Sequence, residues 1–195
     1  MINSKQDYIS YLEADRIALD KPKYSLRVLL NEYLKVDLIW KFQRLLRKTE
    51  YYKNVKSENS FLGRLVYFFI KRKFKKKSMK LGFSIPENVF GAGLAIIHYG
   101  TIVINQNTKI GKNCRIQACV NIGASGGKEG APSIGDNVYI GPGAKIYGKI
   151  EISNNCAIAA NAAIGKSFYN EGMLIGGVPA KEIAKVDIKN IIKHI

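Results

Sequence analysis

The stretch "IGDNVYIGPGAKIYGKIEISNNCAIAANAAIGK", residues 134–166, decides the fold, because isoleucine recurs in it at every sixth position. The same step continues towards the N-terminus, and only position 128 within "GASGGKEGAPS" interrupts it: Ile104, Ile110, Ile116, Ile122, Ile134, Ile140, Ile146, Ile152, Ile158, Ile164. A period of six fits neither an α-helix nor an array of hairpins. It predicts a parallel β-helix, in which short strands stack coil on coil and each isoleucine joins an inward ladder.

Two further positions of the repeat support this prediction. A small or apolar residue follows four positions after these isoleucines, and we expect it to point inward: Thr108, Cys114, Val120, Val138, Ala144, Ile150, Cys156, Ala162. Asn or Gly often stands three positions after the isoleucine, where a tight turn needs the left-handed backbone region: Asn107, Asn113, Asn137, Gly143, Asn155, Asn161. Cys114 and Cys156 are thus predicted core residues, whereas Cys119 falls on a turn.

The N-terminal part of the chain has a helical period instead. Leucine and aromatic residues at three- and four-residue spacing predict a helix over residues 24–48. The segment "FLGRLVYFFIKRKFKKK", residues 61–77, predicts a second helix, apolar first and basic afterwards. It is suited either to packing against the second half, which we favour, or to peripheral association with a membrane. We divide the chain into a basic α-helical region (1–80), a repeat domain (81–183) and a C-terminal tail (184–195).

Charge is concentrated in the first of these regions. The chain of 195 residues has a formal net charge of +16. Residues 1–80 contain 20 Lys and Arg against 8 Asp and Glu, whereas residues 81–195 contain 11 against 7. Such a concentration of positive charge in residues 1–80 attracts anionic membranes, nucleic acid or polyanionic substrates. Nucleic acid is not expected as a partner, because no nucleic-acid-binding motif accompanies the charge.

Composition also bears on location. The sequence contains no apolar run of the roughly 18 to 20 residues that a membrane-spanning helix needs, and its N-terminus lacks the layout of a secretory signal. The three cysteines are interpreted as free thiols in a reducing compartment. These features predict a cytoplasmic protein, either free or at the inner face of the membrane.

Repeats such as "IGKNCR", "IGDNVY" and "IGPGAK" resemble those of the hexapeptide-repeat acyltransferases, over roughly residues 81–183. Three segments resemble the serine acetyltransferase-like branch: "IIHYGTIVIN", "VNIGASGGKEGAPSIGDNVYIGPGAKIYG", and "IAANAAIGKS" with "IGGVPAK". The resemblance implies a mainly β fold, a left-handed parallel β-helix with an α-helical N-terminal region and a short C-terminal helix or tail. It also implies a homotrimer that transfers acetyl from acetyl-CoA at sites between adjacent β-helices.

The same resemblance implies roles for individual residues. His98 matches the catalytic base, and the coenzyme A contacts fall on Gly141, Ala160, Lys166, Gly177 and Lys181. His98 would deprotonate an acceptor hydroxyl that attacks the thioester, with backbone amides of residues 123–127 stabilising the oxyanion. Without this resemblance, a histidine in an apolar strand is expected to be structural. Cys119 is an alternative nucleophile but has no recognisable base beside it. No metal is expected, since a zinc site with three histidines needs more than the two present.

The acceptor is predicted from three departures. Serine acetyltransferases carry Asp before the histidine and an Arg-His pair in the glycine-rich segment, where this chain has Ile97, Gly130 and Ala131. We therefore expect a sugar or glycan acceptor in capsule, lipopolysaccharide or exopolysaccharide biosynthesis. Serine O-acetylation for cysteine biosynthesis is the alternative, and a non-enzymatic basic membrane-binding scaffold is a third. Glu129 and Asp136 are the candidates for orienting His98.

Overall fold

A computed structural model describes residues 1–23, 37–127 and 129–195 of the chain. Helices α1 (Lys5–Ala18), α2 (Leu38–Tyr51) and α3 (Phe61–Leu81) form the N-terminal region, and α2 runs on through a π-helical turn, Tyr52–Lys56, and a short turn, Ser57–Asn59. The helix predicted over 24–48 is confirmed from residue 38, while residues 24–36 lie outside the described residues. The helix predicted over 61–77 is confirmed and extends four residues further.

Local capping explains where these helices begin and end. The hydroxyls of Ser4 and Ser60 and the carboxylate of Asp37 each accept a backbone N–H from the first turn, of α1, α3 and α2 respectively. Gly82 ends α3 in the left-handed region at φ 73°. Within the described part of the chain, no helix is both long and apolar enough to cross a membrane.

The remainder of the chain is built from short strands: β1 (Phe83–Ser84), β2 (Ala95–Ile96), β3 (Ile102–Ile104), β4 (Lys109–Ile110), β5 (Arg115–Ile116), β6 (Asn121–Gly123), β7 (Ser133–Ile134), β8 (Tyr139–Ile140), β9 (Lys145–Tyr147), β10 (Glu151–Ile152), β11 (Ala157–Ile158), β12 (Ala163–Ile164), β13 (Met173–Gly177) and β14 (Ala180–Lys185). The first sheet has the order β1-β3-β6-β9-β12, the second β4-β7-β10, and the third β2-β5-β8-β11-β13-β14. The pairs are parallel, apart from the antiparallel pair β13–β14. A short 3-10 helix, Ile188–Asn190, follows.

The three sheets are the faces of a left-handed parallel β-helix, which confirms the predicted fold class. Successive coils are in register, so that Ile116 pairs with Ile140 and Ile140 with Ile158. All ten repeat isoleucines and all eight residues of the second predicted ladder are buried. Full burial of one such side chain stabilises the fold by about 1.5–3 kcal/mol. The repeat therefore supplies the core.

The predicted left-handed corners are confirmed at five positions and wrong at one. Asn113, Asn137, Asn155, Asn161 and Gly143 have φ between 54° and 74°. The amide side chains also form a ladder, in which Asn113 donates to Asn137 and Asn137 to Asn155, both at 2.9 Å. Asn107 does not have a positive φ. Its backbone N–H instead donates to the side chain of Asn105, a local turn that needs no left-handed residue.

We expect Asn137→Ala to destabilise the fold by about 1–3 kcal/mol. Alanine is strained in the left-handed region by about 1–2 kcal/mol, and the substitution also removes two ladder hydrogen bonds. Asn137→Gly should cost less, because it loses only the hydrogen bonds. Urea unfolding of both variants measures the difference. Asn107→Ala is the matched control and should be near neutral; equal losses at 107 and 137 would contradict this account of the corners.

Side chains of α1 and α2 close the N-terminal end of the β-helix. The buried Arg47 guanidinium forms ion pairs with Asp15 at 2.8 Å and with Glu50 at 3.0 Å, and it donates to the carbonyls of Phe90 and Gly91. The Asp15 carboxylate in turn accepts the backbone N–H groups of residues 93 and 94. An exposed strand edge would leave such groups without partners. The helical region is thus bonded to the first coil through buried polar groups.

Helix α3 packs on the β-helix with one side only. Phe74, Ser78 and Leu81 are buried, and Phe42 of α2 stacks on Phe74 and meets Phe83 of β1 edge-on, with centroid distances of 5.3 and 5.0 Å. Phe61, Leu62, Leu65, Phe68 and Phe69 remain exposed. The favoured interpretation, a surface that packs against the second half, therefore holds for the basic end of the helix and not for its apolar end.

Candidate active site

His98 lies at the corner between β2 and β3, on an expanded turn. Ile96 pairs with Ile116, and Val103 pairs with Asn121. The corner therefore contains six residues (97–102) in the first coil and four (117–120) in the second. The next coil again has four, 141–144, between Ile140 and Lys145. The two extra residues make room for His98 and Tyr99, both of which are exposed.

This geometry excludes a packed structural histidine. The buried part of the strand ends at Ile96, and the His98 side chain makes no hydrogen bond to any described residue. Its imidazole can therefore reach a molecule bound against this edge of the β-helix. The catalytic role of His98 remains a prediction.

Gln43 of α2 holds the strand that leads into this corner. The fully buried side chain donates from Nε2 to the carbonyl of Leu94 at 2.7 Å, and its Oε1 accepts the N–H of Ile96 at 2.9 Å. One amide thus takes the place of a neighbouring strand along the free edge of β2, two residues before His98. Nothing in the sequence around residue 43 indicates this role, because it depends on how α2 docks.

Gln43→Leu should destabilise the protein by about 1–3 kcal/mol for each backbone group that it leaves buried and unpaired. We also expect a lower kcat for any reaction that uses His98, because the corner loses its support. Thermal unfolding and steady-state kinetics measure the two effects. Gln6→Leu, at an exposed position of α1, is the control. Unchanged kinetics in a destabilised Gln43→Leu protein would show that Gln43 is structural only.

Three of the predicted coenzyme A contacts lie along the same edge as His98. Gly141 and Ala160 follow β8 and β11, and the pairing of Ile158 with Ile175 brings Gly177 alongside them. Strands are spaced about 4.8 Å apart, so Ala160 lies about 14 Å from the His98 corner along the axis. A Cβ atom on Gly141 would lie 2.6 Å from the carbonyl oxygen of Ile158. Glycine is thus required there by coil packing, with or without a ligand.

The two predicted lysines meet in a separate cavity at the C-terminal end of the β-helix. Lys166 and Lys181 line a groove of about 380 Å³ together with Tyr169, Asn170 and Glu182. Lys166 lies over the ring of Phe168 at 5.4 Å. Lys181 pairs with Gly176, next to the edge that carries Gly177. The groove therefore adjoins the row of small residues at its far end from His98.

The glycine-rich loop lies at the other edge of the first sheet. Because β3 and β6 are parallel and in register, His98 precedes the sheet where its strands begin, and residues 124–127 and 129–132 lie beyond the point where they end. The structure therefore does not bring the amides of residues 123–127, or Glu129, to His98 of the same chain. Asp136 lies at the third corner, where it accepts the N–H of Lys112 at 2.7 Å. Neither acidic candidate orients His98 within one chain.

Gly130 has a conformational explanation of its own. Its φ is 103°, and a Cβ atom would lie 2.7 Å from the Cβ of Lys149. A larger residue at 130 would be strained and would collide with this neighbour. The stem of the exposed Lys149 thus runs past position 130. The absence of a cationic residue at 130 follows from the loop backbone, and Lys149 supplies a cation nearby.

The similar proteins of known function include serine acetyltransferases from different bacteria. Residues 131–166 match the bacterial transferase hexapeptide family (six repeats). Serine acetyltransferase of Mycobacterium tuberculosis is 35% identical over 102 residues, covering 51% of this chain and 44% of that protein. The Staphylococcus aureus enzyme is 37% identical over 93 residues, covering 47% and 44%. The matched segment thus spans less than half the length of these relatives.

Solved structures extend the likeness to the helical region. Serine acetyltransferase from Brucella abortus superposes with a TM-score of 0.70 over 93% of this chain and 71% of its own, at 22% identity. At this identity the likeness concerns the fold. The same enzyme has also been solved in complex with coenzyme A.

These relatives correct the predicted acceptor. The prediction of a sugar acceptor, with a role in polysaccharide assembly, is wrong, because the similar proteins are serine acetyltransferases. The prediction gave too much weight to Ile97, Gly130 and Ala131. At Gly130 a side chain would be strained by the positive φ and would meet Lys149, so glycine there has a conformational explanation that does not involve the acceptor.

Proposed function

We propose that this chain is an acetyl-CoA-dependent serine O-acetyltransferase. The observation that carries the proposal is the exposed His98 on an expanded corner, in line with an edge of small residues. The similarity to serine acetyltransferases supports the acceptor. Lys166 and Lys181 are suited to phosphate groups, since their ammonium groups pair with anionic oxygens, and the edge at Gly141, Ala160 and Gly177 leaves room for an extended pantetheine arm.

The proposed reaction is a direct transfer. The neutral imidazole of His98 takes the proton of the serine hydroxyl as the oxygen attacks the thioester carbonyl. The tetrahedral intermediate then expels the coenzyme A sulfur, which recovers the proton from His98. The C–O bond forms and the C–S bond breaks without an acyl-enzyme. Holding both substrates against one edge supplies a further part of the rate enhancement.

A second copy of the chain completes this proposed site. Within one chain, His98 and the loop amides lie at opposite edges of the first sheet, whereas two copies packed side by side can place one chain's loop beside the other's histidine. The proposed homotrimer is therefore part of the mechanism. Its three contacts would form three equivalent sites.

The decisive assay incubates the purified chain with acetyl-CoA and L-serine and follows free thiol release together with O-acetylserine by mass spectrometry. L-Alanine, which lacks the hydroxyl, is the matched control acceptor. Serine-dependent thiol release with formation of the ester is the expected result. Thiol release equal to that with L-alanine would overturn serine as the acceptor.

Lys149→Met should raise the KM for L-serine by about tenfold or more while leaving the KM for acetyl-CoA unchanged. A hydrogen bond to a charged group contributes about 1.5–3 kcal/mol, and Lys149 is a cation beside Gly130 that can meet the serine carboxylate. Lys112→Met, at an exposed position of the third corner, removes the same charge away from the loop. A parallel rise in both KM values would argue against carboxylate recognition by Lys149.

A further inference from the structure

The outward side of α3 is apolar at one end and cationic at the other. Its inward side is anchored by Phe74, Ser78 and Leu81. On the outward side, Phe61, Phe68 and Phe69 are exposed to 76%, 59% and 60%. Large apolar side chains are not normally this exposed as a contiguous group unless something covers them.

The basic residues continue the same stripe. At 3.6 residues per turn, all of the following lie within an arc of about 160°: Phe61, Leu62, Leu65, Phe68, Phe69, Arg72, Lys73, Lys75, Lys76, Met79. We call this set the α3 outer face. The helix therefore presents about three turns of aromatic and aliphatic groups and then about two turns of ammonium and guanidinium groups to the same side.

The positive charge of α3 is barely compensated. Residues 61–81 contain eight Lys and Arg and no Asp or Glu. Among the described residues, the ion pair that α3 makes is Lys71 with Glu87, at 3.4 Å. Burial and the neighbouring cations of Lys41 and Lys73 lower the pKa of Lys77. The excess extends to α2, since Lys41, Lys48, Lys73 and Lys77 line one groove of about 440 Å³.

From this arrangement we propose that the α3 outer face docks the protein on a membrane surface rich in anionic phospholipids. The aromatic end enters the interface between headgroups and acyl chains, while the basic end contacts lipid phosphates. A second copy that met the same face of α3 would fit poorly, because two cationic stripes would come together in the contact. An anionic bilayer offers an apolar layer and negative charge side by side. This inference is independent of the acetyl-transfer reaction.

The test is co-sedimentation of the full chain with phosphatidylcholine vesicles, with and without phosphatidylglycerol. We expect binding only when phosphatidylglycerol is present, and weaker binding in high salt. Each basic residue near the surface contributes about fivefold to the partition constant, so Arg72→Glu/Lys76→Glu should weaken binding about 30-fold or more. Phe68→Ser/Phe69→Ser should weaken it about tenfold or more. Lys185→Glu/Lys189→Glu makes the same charge change at exposed positions away from α3 and should bind within about twofold of the native chain.

Circular dichroism and acetyl transfer should be unchanged in both α3 variants, since neither pair lies in the site or in the core. Equal sedimentation with pure phosphatidylcholine, or binding by both α3 variants as tight as that of the native chain, would overturn the proposal. So would the absence of any vesicle binding by the native chain. Light scattering supplies a separate check: dissociation of an oligomer by Phe68→Ser/Phe69→Ser would show that another copy covers the face and not lipid.

Discussion

Replacing His98 by asparagine is expected to lower kcat/KM for acetyl transfer by about 10²–10⁴-fold, the usual contribution of a general base. Asparagine keeps a polar side chain of similar reach but cannot take a proton from the acceptor hydroxyl. Steady-state kinetics with saturating acetyl-CoA measure the loss. Because His98 is exposed and has no hydrogen bond to a described residue, the variant should unfold at the same denaturant concentration as the native protein and bind coenzyme A with the same affinity by calorimetry.

His194→Asn is the matched control for this experiment. His194 is the second histidine of the chain, half-buried near the C-terminus, where burial lowers its pKa. It lies in none of the proposed site elements, so its replacement should leave kcat/KM within about twofold. Near-normal activity of His98→Asn, or an equal loss in both variants, would rule out His98 as the base.

Arg47→Met is expected to destabilise the protein by about 3–5 kcal/mol. The buried guanidinium is the shared partner of Asp15 and Glu50 and of two carbonyls in the first coil. Methionine fills a similar volume but leaves both carboxylates buried without a cation. Urea unfolding measures the loss of unfolding free energy. Lys53→Met, which removes a half-exposed ion pair with Glu87, is the control and should cost at most about 1 kcal/mol.

The loss of stability in Arg47→Met should also depend on pH, in a direction that the pKa of Glu50 determines. Burial raises the pKa of Glu50 in the folded protein. A raised folded pKa stabilises the protonated native state, so this contribution is present at low pH and is lost as pH rises through the folded pKa. Without Arg47 the folded pKa of Glu50 rises further. The deficit of Arg47→Met relative to the native protein should therefore shrink from pH 8 towards pH 5; a deficit independent of pH would contradict the buried-charge explanation.

The repeat domain was predictable to a degree that the helical region was not. A period of six with isoleucine specifies which side chains point inward, because each strand is so short that its register is set within one repeat. The positions of nearly all asparagines at the corners could be predicted for the same reason. Gln43 and Arg47 carry no comparable pattern: each bonds to groups about 40 to 50 residues away, and only docking of the helices onto the first coil reveals them.

The candidate site divides in the same way. Its small-residue edge could be predicted from the segments that contain Ala160 and Gly177. The conformation of Gly130 could not, because its positive φ and its contact with the stem of Lys149 are visible only in the folded loop. The sugar prediction rested on Gly130 together with Ile97 and Ala131, and at Gly130 it ignored this conformational explanation. The absence of a family side chain is informative about a ligand only where the backbone conformation would have accommodated that side chain.

The isoleucine period was enough to establish a β-helix and its core, since inward positions repeat with the geometry of the coil. The same period, continued back by six from Ile104, would put position 98 on the inward ladder. In the folded chain Ile96 takes that inward place, and a corner with two extra residues turns His98 outward. Strand pairing made that choice, because burying an aliphatic side chain stabilises the first coil, whereas burying an unpartnered imidazole would cost free energy.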